Sequence, residues 1–173
     1  MKKSILLVLM TILALNVNAQ NNAQTVSTPE APPLEFALQL KVTLDKPYAV
    51  GKTPKGGRNV VPITGGTFEG PRLKGTIISG GADYQMSNDG RTEIEAIYSI
   101  KTDDGVYIHV RNCGIIAAGK TEDGKPTFYF RCAPKFEAPT DSKYNWLNNA
   151  LFLCQPDFNQ QFQGIVLNVW EVK

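Results

Sequence analysis

A single histidine, His109, in 173 residues removes most familiar catalytic arrangements at the outset. A Ser-His-Asp triad would have to be built on that one imidazole. No G-x-S-x-G, H-E-x-x-H, C-x-x-C or phosphate-cradling P-loop pattern occurs. His and Cys do not cluster at ligand spacing, so neither a metal nor a cofactor is expected. An excess of one charge is missing as well. Lys and Arg number 18 against 16 Asp and Glu and are scattered singly, whereas nucleic-acid binding needs a basic face or stripe, so no nucleic-acid partner is expected. Helical periodicity is nearly absent.

The one long apolar run, residues 5–15, follows Lys2 and Lys3 and ends in Asn16-Val17-Asn18-Ala19. A basic start, a short apolar run and small residues before a cut after Ala19 make residues 1–19 a secretory signal peptide. The run is shorter than the roughly 20 residues that cross a bilayer, so no membrane span is expected once the leader is removed. The expected location is therefore outside the cytoplasm, periplasmic or secreted. Removal takes away two lysines and no acid, leaving 16 basic residues against 16 acidic and no formal net charge.

Residues 20–33, QNNAQTVSTPEAPP, are polar, carry three prolines and lack any hydrophobic period, which predicts a flexible lead-in. Residues 34–173 remain as one domain. The three cysteines, Cys113, Cys132 and Cys154, enter an oxidising compartment where paired thiols persist as disulfides, and an odd count leaves one over. The pair brought together by neighbouring strand-like segments is Cys132 with Cys154. The alternative is three buried thiols acting as small apolar groups.

What is abundant is alternation. In LEFALQLKVTL, residues 34, 36, 38, 40, 42 and 44 are apolar, with mostly polar residues between them, the period of a strand with one wet face. Shorter segments of this kind fall at 73–79, 92–101, 105–111, 127–133, 149–154 and 164–172. Asn88-Asp89-Gly90, Asp103-Asp104-Gly105 and Glu122-Asp123-Gly124 place Asp-Gly between such runs, a strong hairpin signal. Successive hairpins make a meander, which closes or stacks to hide its edges. The prediction is an all-β protein, a single antiparallel meander β-barrel of lipocalin-like form, with one short helical turn at residues 144–149 after Ser142. The glycine-rich stretch ITGGTFEGPRLKGTIISGGAD, residues 63–83, then supplies the bends. Gly65, Gly66, Gly80 and Gly81 flank a strand at 73–79 and are expected to shape the barrel mouth.

Four blocks in order, VPITGGTFEGPRLKGTIISGGADYQ, TDDGVYIHVRNCG, FYFRCAPKFE and YNWLNNALF, resemble the family of domains of unknown function numbered 3237. The resemblance covers essentially the whole of residues 34–172. It implies a compact lipocalin-like barrel and leaves function mostly unassigned. Cys113 and Cys132 stand where the family pattern has arginine or glycine and threonine, and the loop at 117–125 is shorter than usual.

The candidate site follows from polar residues set within apolar blocks. Glu69 lies between Phe68 and Gly70, Asp83 follows Gly80-Gly81, and Glu95 lies two residues from Ile97. Arg111 and Arg131 fall on neighbouring strands. Enclosed charges must be paired, and arginine holds carboxylates bidentately, so ion pairs lining the barrel are expected. For a small organic ligand, Tyr98, Phe130 and Trp146 offer apolar walls, while Asn112, Asn148 and Arg131 offer orientation. Trp146 serves equally as a plug for one barrel end. Glu69, Asp83 and His109 are the candidate acid–base groups; for His109 a packed or solvent-facing strand position outweighs the catalytic reading. The first function class is small-molecule binding. The second is a cofactor-independent lyase, isomerase or hydrolase with a pocket carboxylate as base and an arginine on the oxyanion. The third is a solidly packed barrel that works through surface contacts. The sequence leaves ligand identity and oligomeric state open.

Overall fold

A computed structural model describes residues 27–159 and 161–173. The leader expected at 1–19 and the first part of the lead-in lie outside the described residues, and residues 27–33 hold no regular secondary structure. The elements are β1 (Leu34–Leu44), β2 (Tyr48–Thr53), β3 (Gly56–Glu69), β4 (Lys74–Ile77), β5 (Gly81–Asn88), β6 (Arg91–Thr102), β7 (Tyr107–Lys120), β8 (Pro126–Glu137), a 3₁₀ turn (Asn145–Asn149), β9 (Phe152–Pro156) and β10 (Ile165–Val172). All strand pairings are antiparallel, and the described residues form one ten-stranded sheet. The sheet closes through β1, which pairs with β10 along Leu34↔Val172 to Val42↔Ile165 and with β3 along Gln39↔Glu69 to Leu44↔Ile63. The all-β barrel and its single short helical turn agree with the sequence reading.

All three Asp-Gly turns connect consecutive strands of the meander, β5 to β6, β6 to β7 and β7 to β8. In the first, Asp89 and Gly90 both take positive φ, 43° and 78°, as a two-residue hairpin with the right-handed strand twist requires. In the second, Gly105 N–H donates to Thr102 O at 2.8 Å, and the Asp104 carboxylate accepts from Thr102 Oγ1 at 2.6 Å and from Tyr144 Oη at 2.8 Å. The Lys143 ammonium, with those two side-chain bonds adding to it, holds the Asp104 carboxyl well below the usual carboxylate range. The β6–β7 turn is thereby tied to the segment carrying the 3₁₀ turn.

β2, β3 and β5 extend beyond the segments that alternation picks out. β3 exchanges partners along its length, pairing with β2 as far as Val60 and with β5 as far as Ile63, then with β1 from Ile63 to Glu69 and with β4 from Gly66 to Glu69. Gly65 and Gly66 sit at this corner with φ of 139° and 134°. They are within a strand, rather than at the end of the 73–79 segment as expected, because the bend lets one long strand serve two parts of the wall. A Cβ on Gly66 would lie 2.0 Å from Lys41 O, so only a bare backbone lets β1 and β3 meet there.

The barrel interior is apolar at one end. Leu38, Leu40, Ile100, Ile108, Val110 and Val169 are fully buried, and Leu147 of the 3₁₀ turn packs on them as a plug. Gly66→Ala is expected to destabilise by on the order of 4 kcal/mol, the range of severe backbone disruption. Gly105→Ala meets no atom within 4 Å and carries only its positive φ of 89°, so about 1–2 kcal/mol is expected. Urea denaturation of the two variants checks this contrast.

Candidate functional site

Period two sorts each strand into an inward and an outward set, and the apolar members decide which is which. On β7, Ile108 and Val110 are buried, so Asn112 points inward while Tyr107, His109, Arg111 and Cys113 point outward. On β6, Ile94, Ala96, Tyr98 and Ile100 form the inward set, and Glu95 belongs to the other. On β8, Phe130 and Cys132 face in and Arg131 faces out. Consecutive pairs such as Arg111-Asn112 and Phe130-Arg131 cannot both reach the interior.

The ion pairs expected inside the barrel are therefore outside it. Glu95 accepts from Arg111 Nε at 2.6 Å on the outer face, an exposed pair that solvent screens. Arg131 is exposed and donates to Phe130 O at 2.7 Å, Glu69 is exposed at the end of β3, and His109 is exposed opposite Ser99 and Glu137. Trp146 acts as part of the plug, with the Arg72 guanidinium 3.2 Å above its ring and Arg72 Nη2 2.6 Å from Glu171 Oε2. Asn148 clamps the chain locally, since its Oδ1 accepts from Ala138 N at 2.8 Å and its Nδ2 donates to Ala138 O at 2.9 Å.

Four of the sequence candidates, Asp83, Tyr98, Asn112 and Phe130, do come together around one cavity of about 150 Å³ inside the barrel. Gln85, Ile94, Ala96, Ile116 and Cys132 join them, with Val42, Leu44, Val61, Ile63, Ile165 and Leu167 completing the wall. Gly81 makes the polar corner possible, because a Cβ there would lie 2.5 Å from both Ile97 O and the Tyr98 side chain.

Asp83 is the acid of this cavity. Gln85 Nε2 donates to its Oδ2 at 2.8 Å and the Glu95 backbone N–H to its Oδ1 at 3.1 Å, at an interruption of the β5–β6 pairing between Asp83↔Ala96 and Met86↔Glu93. Burial among apolar side chains raises the Asp83 carboxyl above its ordinary value, although both hydrogen bonds pull the other way. Desolvation, with the neighbouring thiols of Cys154 and Cys132 adding to it, likewise pushes the Tyr98 phenol up and keeps it a neutral donor. Tyr98 Oη and Asn112 Oδ1 are buried and make no hydrogen bond among the described residues. An unsatisfied buried polar group costs about 1–3 kcal/mol, and natural interiors carry few of them. No group of His, Cys, Asp and Glu able to hold a metal occurs among the described residues, and no helix among them is long and apolar enough to cross a membrane.

The missed lining residues were within reach of the parity rule. Once Tyr98 faces inward, Ile94 and Ala96 must follow, and Gln85 follows Asp83. β5 itself escaped notice because its inward positions are polar, so GADYQMSN shows no apolar period.

Residues 32–172 match the family model described as "Protein of unknown function (DUF3237)", and the chain belongs to that family. It is 33% identical over 132 residues to a UPF0311 protein of Clostridium acetobutylicum, covering 69% of this chain and 82% of the relative. It is 31% identical over 123 residues to the Hydroalkoxylation enzyme phnH of Penicillium herquei, covering 71% of this chain and 73% of that protein. A crystal structure of a beta-barrel like protein from Acinetobacter baumannii superposes with a TM-score of 0.72 at 30% identity, covering 84% of this chain and 99% of the other.

A carboxyl whose folded-state value lies above its unfolded one favours the fold most below the unfolded value, and that contribution is lost as pH rises through the folded value. Asp83→Asn is accordingly expected to be more stable than the parent at pH 7, with the gap shrinking toward pH 3. Thermal melts of both proteins across that range check the sign.

Proposed function

We propose that this DUF3237 member holds one small, uncharged organic molecule inside its barrel. The molecule's hydroxyl or carbonyl oxygen lies toward Tyr98 and Asn112, and its apolar body lies against Ile63, Ile94, Phe130 and Leu167. The observation that carries this reading is the pair of buried, unbonded polar atoms, Tyr98 Oη and Asn112 Oδ1, on two strands that contribute to the cavity wall. A ligand oxygen accepting from the phenol, or a ligand O–H donating to the amide oxygen, satisfies groups that the other described residues leave bare. The lining contains no Lys, Arg or His, so an anionic group would meet no countercharge, and a neutral ligand suits the apolar wall. About 150 Å³ is the scale of a cavity that takes up a single benzene ring. The leader-like residues 1–19 support export of the chain, with Gln20 as the mature N-terminus.

A second reading adds chemistry at the same place. Asp83 is a carboxyl biased toward its protonated form within a mostly apolar cavity, and a relative at 31% identity is named a hydroalkoxylation enzyme. Such a reaction adds an O–H across a carbon–carbon double bond. Asp83 delivers its proton to one alkene carbon, the hydroxyl oxygen bonds to the other, and the hydroxyl proton returns to the Asp83 carboxylate. Atoms and charge balance without any redox partner. Tyr98 and Asn112 orient the reacting oxygen, taking the place that the sequence reading gave to an arginine.

Phenol and cyclohexanol are suitable probes, and saturable shifts of cavity signals in NMR titration are the expected result. Asn112→Leu is expected to weaken binding about tenfold, the loss of one buried hydrogen bond, and Ile94→Trp to abolish it by filling the space. Unchanged binding in both folded variants, or a cavity that holds only water at saturating probe, would overturn the binding reading. For the catalytic reading, Asp83→Asn is expected to slow addition of an alcohol O–H across a carbon–carbon double bond about 100-fold or more. An unchanged rate with intact binding removes the second reading and leaves the first. N-terminal sequencing of exported protein checks the cut before Gln20.

A further inference from the structure

Cys132 on β8 and Cys154 on β9 occupy the register position that joins those two strands. Both side chains are buried, and both thiols are free in this structure. Directly opposed residues of an antiparallel pair have Cα atoms about 4.5–5.5 Å apart and side chains on the same face. That separation falls within the range a disulfide spans without moving the backbone. The two thiols are in contact, Asn112 Nδ2 lies 4.0 Å from Cys154 Sγ, and Cys132 also lines the cavity. Cys113 is excluded as a partner for either. It sits opposite Ala133, is exposed, and projects from the outer face, with the sheet itself between it and the inward thiols.

We infer that Cys132 and Cys154 are a modification site, joined by a disulfide when the chain folds under oxidising conditions, which straps β9 to β8 behind the polar end of the cavity. The strap falls where it is needed. β7 and β8 share a long run of register pairs, from His109↔Glu137 to Lys120↔Pro126, whereas β8 and β9 meet in register only at Cys132↔Cys154. Elsewhere along that seam the wall is held by packing such as the edge-on contact of Phe136 with Phe152, ring centroids 5.0 Å apart.

The chemistry is thiol–disulfide exchange with a low-molecular-weight disulfide. One thiolate attacks the small disulfide and releases one small thiol. The second thiolate then displaces the other small thiol from the mixed disulfide, so two protein thiols are oxidised, one small disulfide is reduced and two small thiols leave. In the closed barrel the contact with Cys154, together with burial, pushes the Cys132 thiol up, so thiolate is scarce there. The bond therefore forms while the wall is still open, and the finished barrel shields it from reductant.

The full-length chain refolded in a mixture of reduced and oxidised glutathione, then unfolded in guanidinium and titrated for thiols, tests this directly. The expected result is one free thiol, Cys113, in a protein two hydrogens lighter than the form refolded in dithiothreitol, which titrates three. Cys113→Ser is expected to lose its remaining thiols completely on oxidative refolding. Cys154→Ser is expected to keep both of its remaining thiols, whether or not it folds well, because the count is made on unfolded chain. The oxidised form is expected to melt about 5–10 °C above the reduced one. Three free thiols after oxidative refolding, a link involving Cys113, or equal melting temperatures of the two forms would overturn the inference. None of these readouts depends on a ligand or on export, so this proposal fails or stands apart from the function proposed above.

Discussion

Closure through β1 is the constraint on which the rest of the molecule depends. Because β1 bonds to β10 on one side and to β3 on the other, the sheet acquires a definite inside, and each strand residue is assigned to it or to the surface by parity alone. That assignment admits Asp83, Gln85, Tyr98 and Asn112 to the interior and turns Glu95, Arg111 and Arg131 away from it. It also requires Gly66, since the approach of β1 to β3 leaves no room for a side chain at their crossing.

The interior is divided along the barrel. Toward the 3₁₀ turn it is filled with fully buried aliphatic residues and stoppered by Leu147 and Tyr144, with Asp104 and the stacked Arg72 and Trp146 securing the stopper. In the other part three adjacent strands set polar side chains, Asp83 and Gln85, Tyr98, and Asn112, among apolar inward neighbours, and the space among them is left as a cavity. An apolar substitution at any of these positions would bury a group more cheaply than an unbonded phenol or amide does. Stability and function draw on separate stretches of the same strands. The side chains of β6 change from Ile100, which only packs, to Tyr98, whose hydroxyl is left unsatisfied, within one inward step.

Much of the architecture was legible from residues 34–173. The alternation of β1, the three Asp-Gly hairpins and the helical turn near Trp146 all stand where the pattern placed them. Glycine at the bends was anticipated too, although as strand ends rather than as a corner within β3. The site was legible in part. Asp83 stood out as a polar residue within an apolar block, Tyr98 and Phe130 as apolar walls and Asn112 as an orienting group, but Glu69, Glu95, Arg111 and Arg131 stood out as strongly as Asp83 did. Nothing in composition separates an inward arginine from an outward one. Parity separates them only when the neighbours on the same face are apolar, as Ile108 and Val110 are for Asn112.

The chain alone determined an antiparallel meander of alternating strands, because period-two alternation and turn chemistry are local properties that each short segment carries by itself. The folded molecule decided which polar residues meet. Asp83 and Asn112 lie on strands that never pair with one another, with β6 and Tyr98 between them. Their common environment arises from the curvature of the closed wall, a long-range property that no segment contains. The raised Asp83 carboxyl is a product of that enclosure, since only the assembled apolar wall removes it from water.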